Sequence, residues 1–428
     1  MTLDRRPVSI AATAALALAL TGCWPAPGQG PDRAAFNPFE STLTAANVAS
    51  LAEAWSAPLD GPMFQPFTNP GGEIVVGHGG VYVGDRKGLY RFDVADGTRA
   101  WKRTMPAFPV EHDPEIAQPI VVGDRLLVGY GSVGAFPDVA PDWRSWWLDP
   151  ATGATLADGP GGGAPMAVRG SQAVLDLATC IEPRICSGRS TVVDLDSGGT
   201  LSTAAIGVHV GNYQPSTLGR ERLYHTGIDL QAVSSRVQAF PLVAPGEAAP
   251  LWSQVIEPQT GATAPVLSAD ESTLFVGTGY GGTGHTIYAL DTATGAIEWT
   301  ADIGAGVAAA PALADGLLYV PTTDGHLVVV DGDGCGAATC APLWSAAATG
   351  SNIGQQPAVA GGVVYTGSSD GTVHAFAAAG CGAATCTPLW SAATGAPIVS
   401  GPVVSGGRLY VVSATDFASG RVVAYGLT

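Results

Sequence analysis

Seven cysteines are the residues of this chain best suited to chemistry, and six of them stand in close pairs: Cys180/Cys186, Cys335/Cys340 and Cys381/Cys386. Zinc would call for Cys-x-x-Cys spacing or a nearby His cluster, and neither accompanies them. The expectation is three local disulfides, each closing a short loop and contributing on the order of 2 kcal/mol. An exported chain can oxidise such pairs. The last two pairs lie in near-identical segments, 334–340 and 380–386, a first sign of internal repetition.

Other constellations are weaker. By residue type Glu111-His112-Asp113-Pro114-Glu115 could ligate a metal, but the reading favours a solvated acidic loop. Asp331-Gly332-Asp333-Gly334 hints at a calcium loop, yet position 12 from Asp331 is Pro342 rather than Glu. No Gly-x-Ser-x-Gly elbow or other nucleophile arrangement occurs. His326 and His374 fall in third strands of a repeating unit, where half-buried structural histidines are expected.

The elements that would carry these residues follow from composition. Gly (58) and Pro (32) make up about a fifth of the 428 residues and are spread along the chain, a supply suited to frequent turns. Charged residues are only 13% against 46% apolar. Many short strands are predicted rather than long helices. The net charge of −17, with Lys only at 87 and 102, disfavours nucleic acid and anionic lipid surfaces as partners.

Residues 1–22 read as a signal peptide: Arg5 and Arg6, then an apolar run from Val8 to Leu20 too short to span a bilayer. The run ends in Leu20-Thr21-Gly22-Cys23, which resembles the bacterial lipobox. That resemblance implies acylation of the Cys23 thiol and cleavage after Gly22. Residues 23–45 are Pro/Gly-rich without hydrophobic periodicity, and the expectation is a tether.

The strongest signal is periodicity. In residues 264–301, Pro265-Val266-Leu267 starts a strand and Leu274-Phe275-Val276-Gly277 forms a second. Ile287-Tyr288-Ala289-Leu290-Asp291 is a third, Thr292-Ala293-Thr294-Gly295 turns, and a fourth carries Trp299. A Pro opens each unit (Pro70, Pro119, Pro165, Pro215, Pro265, Pro311, Pro357, Pro402) and a Trp closes most (Trp101, Trp252, Trp299, Trp344, Trp390). The unit from Pro402 lacks a fourth strand, and a spare one containing Trp55 precedes the first unit. The predicted fold is all-β: an eight-bladed β-propeller of four-stranded antiparallel blades over 46–428, its last blade closed by an N-terminal strand.

The 287–299 stretch resembles the repeat of the pyrroloquinoline-quinone (PQQ) propellers, with weaker copies at 92–97 and 148–153. The resemblance covers roughly 46–428 and implies the fold more than the function. The quinoprotein dehydrogenases of that group hold PQQ on the propeller axis over calcium. Many have an adjacent cysteine pair beneath it, and some add Cys-x-x-Cys-His. Neither motif occurs here, and no Asp/Glu/Asn set matches their ligands, so no catalytic residue and no cofactor are expected. The non-enzymatic relatives include the eight-bladed lipoprotein of the outer-membrane barrel-assembly machinery. They bind partner proteins through a loop-bearing face, although nothing in residues 24–45 is distinctive for the assembly role.

The function expected is therefore non-catalytic: a monomeric, lipid-anchored, extracytoplasmic scaffold for an envelope protein or ligand. A PQQ-dependent or otherwise cryptic oxidoreductase is the alternative. A carbohydrate- or polymer-binding module is another, drawing on Trp143, Trp146 and Trp147, which fit equally as core residues of the second blade. Binding is expected on the face of the long loops and inter-blade segments, at Glu111, His112, Asp113, Gln118, Asn212, Tyr213, Gln214, Gln355 and Gln356. Gln118, Gln214 and Gln356 each precede or lead to a Pro that opens a blade, which puts amides around the channel mouth.

Overall fold

Short apolar runs bounded by Gly and Asp turns become small antiparallel sheets in the computed structural model. It describes residues 23–63, 73–106, 112–114, 118–134, 142–161, 163–182, 185–210, 214–229, 234–258, 261–280, 284–347, 354–415 and 419–428. Blade 5 shows the pattern: Val266–Leu267 lies nearest the axis, followed outward by Thr273–Tyr280, Thr286–Asp291 and Ile297–Asp302. Phe275 stands opposite Ala289, which stands opposite Trp299. Alternate side chains thus fill the space between blades. Eight such blades form the predicted propeller; the helical content among the described residues is one 3-10 turn, Val48–Ser50.

Blade 8 is completed as expected. Its strands Val403–Ser405, Arg408–Ser413 and Ser419–Leu427 are joined by Leu51–Pro62, with Leu51 opposite Leu427 and Ala57 opposite Val422. Blades 3 and 4 are also bonded edge to edge, through Val208 and Ile228.

The recurring Trp and Gly of the motif meet between neighbours. The Trp55 Nε1 of blade 8 donates to the Val94 carbonyl in the last turn of blade 1 (3.2 Å). Trp101 donates to Pro150 (3.1 Å) and Trp252 to Thr292 (2.9 Å) in the same way. Under each indole lies a glycine with positive φ: Gly97 (72°), Gly153 (71°) and Gly295 (74°). A Cβ on Gly97 would approach Trp55 to 2.5 Å, and one on Gly295 would approach Trp252 to 2.5 Å. Glycine is required twice over, by the left-handed backbone and by the flat ring above it. The ring is continuous across the chain break of blade 8, where Trp390 Nε1 donates to the Leu51 carbonyl (2.9 Å).

The disulfides Cys335–Cys340 and Cys381–Cys386 form as expected. They do more than close local loops. Thr339–Cys340 pairs in parallel with the outer strand of blade 5, and Thr385–Cys386 with that of blade 6. Each disulfide turn therefore clasps the preceding blade. Cys180 and Cys186 stand opposite each other in a hairpin register, and their side chains lie outside the described residues.

One local reading changes. Residues 112–114, expected in an acidic loop, form a strand paired with 132–134 of blade 2. Trp143, Trp146 and Trp147 belong to the strand Asp142–Leu148 and are partly buried. Guanidinium groups of Arg103 and Arg125 cover the rings of Trp146 and Trp147. Of the two histidines expected to be half-buried, His374 is 4% exposed, with Nδ1 2.7 Å from Ser391 Oγ, and burial lowers its pKa. His326 is more open and sits 3.1 Å from Asp324.

Blades 2 and 3 lack the closing Trp, and the matching glycines Gly198 and Gly246 have nothing over them. Gly198→Ala should then cost only the left-handed penalty, about 1–2 kcal/mol. Gly295→Ala must also displace Trp252 and should cost about 1–3 kcal/mol more. Equal losses in chemical denaturation would contradict this account of the motif.

Candidate functional site

The propeller axis is where the chain departs most from its sequence reading. Residues 24–45 are not a free tether; 24–37 line the channel and the following residues lead out of it against blade 8. Trp24 is 2% exposed and exchanges two backbone hydrogen bonds with Val76 of blade 1 (2.8 and 2.9 Å). The next carbonyls accept from innermost strands in turn. Val121 donates to Pro25 (2.8 Å), Leu218 to Pro31 (3.0 Å) and Leu267 to Asp32 (3.0 Å). Leu313 donates to Ala34 (2.8 Å) and Val359 to Ala35 (2.9 Å). Phe36–Asn37 pairs in parallel with Ala358–Ala360, and the Asn37 amide donates to the Val404 carbonyl (2.9 Å). The segment thus touches seven of the eight blades. Left-handed backbone at Gln29, Arg33 and Ala35, with φ of 72°, 57° and 51°, accompanies the winding course.

Glu40 fixes the exit from the channel. Its carboxylate is 5% exposed and accepts from the Thr42, Leu43 and Gly407 amides (2.7, 3.2 and 3.0 Å). The chain then passes through Val48–Ser50 into the strand that completes blade 8.

Above this floor, on the side where the blades begin, a cavity of about 50 Å³ remains, lined by Trp24, Arg33, Glu73, Gln214, Gln355 and Gln356 among others. Arg33 is 5% exposed, and its Nε and Nη1 make no hydrogen bond among the described residues. Burial pushes its pKa down and that of Glu73 up, while each charge favours the other.

Several expected binding residues meet at this mouth, in internal roles. Gln356 Nε2 donates to the carbonyls of Arg33 (2.7 Å) and Pro311 (2.9 Å). Gln214 Oε1 accepts from the Ala264 amide (3.0 Å). These amides tie neighbouring blades, and Gln356 ties the N-terminal segment as well. Gln355 lines the cavity, and Gln118 begins the inner strand of blade 2. Glu111, Asn212 and Tyr213 lie outside the described residues, as do the side chains of His112 and Asp113.

Sequence reasoning missed a buried polar cluster between blades 3 and 4. Asp176 accepts from Ser190 Oγ (2.6 Å) and the Ser216 amide (3.0 Å). Ser216 Oγ lies 2.7 Å from Ser190 Oγ and 3.0 Å from His225 Nδ1. The residue types are those of a hydrolase triad, but Ser190, Ser216 and His225 are 0% and Asp176 2% exposed. No substrate reaches them, and they join two blades that lack a Trp clasp between them. The four positions are scattered over 50 residues, so no local motif signals them.

The family model described as "Outer membrane protein assembly factor BamB" matches residues 39–173, 235–337 and 334–426. The chain belongs to that family. A search of curated proteins gives no match. Solved structures show the same fold. Quinohemoprotein alcohol dehydrogenase ADHIIG from Pseudomonas putida HK5 superposes with a TM-score of 0.61 at 15% identity, covering 98% of this chain and 82% of that one. The quinohemoprotein alcohol dehydrogenase from Comamonas testosteroni gives 0.61 at 16%, covering 97% and 84%. The computationally designed Ika8 protein gives 0.60 at 16%, covering 86% and 98%.

The axis of this family member is a poor fit for a quinone cofactor. Pockets for small organic ligands span about 300–1,000 Å³, whereas the space beside Arg33 is about 50 Å³ and its floor is the protein's own chain. Among the described residues no group of three or more His, Cys, Asp or Glu side chains could hold a metal.

If residues 24–45 are part of the propeller, Glu40→Ala should leave three backbone donors unpaired. We expect a loss of about 3 kcal/mol or more in urea unfolding. A change under about 0.5 kcal/mol, typical of a surface site, would restore the tether reading.

Proposed function

We propose that this protein is a non-catalytic scaffold that binds an envelope protein or ligand outside the cytoplasm, held to a membrane by lipid on Cys23. The observation that carries the first part is the filled axis: residues 24–37 bond to the inner strands where a PQQ enzyme of this fold would need space. The family description, an outer membrane assembly factor, supports an extracytoplasmic setting. The Leu20-Thr21-Gly22-Cys23 sequence supports the anchor. Trp146 and Trp147, two of the three Trp that suggested a polymer-binding face, pack against the blade cores, which favours the scaffold reading over that alternative.

Anchoring here would leave little slack. Trp24 is bonded inside the channel, so acyl chains on Cys23 would emerge beside the propeller itself. Membrane attachment through a lipid also suits an acidic chain in which no helix among the described residues is long and apolar enough to cross a bilayer.

Titration with PQQ and calcium, read by quinone absorbance and by dye-linked alcohol oxidation, should show neither stoichiometric binding nor turnover. Saturable binding with activity would establish the oxidoreductase alternative. Separately, Cys23→Ala should release the protein from membranes or leave it as an uncleaved precursor. Fractionation and migration like wild type would refute the anchor.

A further inference from the structure

On the face opposite the channel mouth, where the disulfide turns lie, a groove of about 1,120 Å³ opens between blades 5 and 6. Its inner wall is the N-terminal segment, which contributes Asp32, Phe36 and Phe39; Phe39 is 44% exposed. The blades contribute Asp270 and Glu298 on one side, Asp315 and Asp333 on the other, and the edge of Trp299. No Lys or Arg lines it, and among the described residues none of the four blade carboxylates forms an ion pair.

Carboxylates elsewhere are paired. On the opposite face, between blades 8 and 1, Asp60 is matched by Arg99 (3.1 Å) and Lys102 (2.8 Å). Beside the groove, Glu271 holds Arg169 at 2.9 Å. The chain places its few cations at those sites. In the groove, Asp270 accepts from Ser268 and Ser272 and Glu298 from Thr273, whereas the Asp315 and Asp333 carboxylates are exposed to solvent. Such a groove, apolar at its floor and negative at both rims, complements a ligand with an apolar body and cationic ends. It disfavours a second copy of this acidic chain, as well as acidic polymers.

We propose that the groove between blades 5 and 6 binds a basic, partly aliphatic segment of a partner protein, with Arg or Lys side chains on the Asp315 and Asp333 rim and an apolar side chain against Phe39. This rests on the scaffold reading and gives it a face. The groove is roomy enough to take several side chains at once.

The test uses the full chain and an eight-residue peptide of alternating Arg and Leu, with binding read by calorimetry. We expect saturable binding that weakens as salt is raised. Binding should fall at least tenfold in Asp315→Asn/Asp333→Asn, and also in Phe39→Ala. Asp315 sits at φ 49°, a conformation that Asn tolerates, so the double variant should fold. The control Asp124→Asn/Asp158→Asn removes the same charge from exposed positions of blade 2 and should bind like wild type. Equal losses in both double variants would reduce the effect to net charge and overturn the proposal. So would comparable binding of a Glu/Leu peptide or of a neutral oligosaccharide. A natural partner captured equally by wild type and the groove variants would also overturn it, while leaving the scaffold reading intact.

Discussion

The inner strand of a propeller blade turns one edge of unpaired N–H and C=O groups toward the axis, and here the protein's own N-terminal segment pairs with that edge. The donors Val121, Leu218, Leu267, Leu313 and Val359 come from five blades and meet consecutive stretches of one peptide. Backbone groups left unpaired in a buried channel are costly, so this ring of bonds fixes the segment's path. The path in turn places the closing strand. Trp24 is held at blade 1, Asn37 and Glu40 are bonded to blade 8, and Leu51–Pro62 is delivered to the open edge of that blade.

Spacing around the ring depends on a second contact, the indole over the glycine of the next turn. A repeat protein is held together chiefly by such neighbour contacts, and this one recurs at Trp55, Trp101, Trp252, Trp299 and Trp344, while Trp390 meets Leu51 and Tyr425 instead. Where it is absent the chain substitutes other devices. Blades 3 and 4 share an edge through Val208 and Ile228 and are joined inside by Asp176, Ser190, Ser216 and His225. The parallel pair of Glu247–Ala248 with Thr203–Ala204 adds an outer clasp of the kind the disulfide turns supply in blades 6 and 7.

What was legible in the sequence follows from this physics. The Trp and Gly recur because each is needed for the same local contact in blade after blade, so blade count and closure could be read from their spacing. The role of residues 24–45 could not. Their bonds run through main-chain carbonyls, which leave no side-chain pattern, and Pro and Gly look the same in a tether and in a tightly wound path. Gln214 and Gln356 were found by position, as amides before an opening Pro, but their partners Ala264, Pro311 and Arg33 are 50, 45 and 323 residues away. The groove was invisible for a related reason. Asp270, Glu298, Asp315 and Asp333 each look like a turn or surface carboxylate, and only the folded ring sets them around Phe36 and Phe39.

Everything here rests on residues 24–37 being an integral part of the propeller. Amide hydrogen exchange of the full chain, read by mass spectrometry, examines that directly. The account predicts that peptides spanning 24–37 exchange as slowly as the strands of blades 5 to 8. It also predicts that the amides of Leu267, Leu313 and Val359 lose protection when residues 24–37 are deleted. Exchange of 24–37 within seconds, beside fully protected blades, would show a free tether and contradict the account.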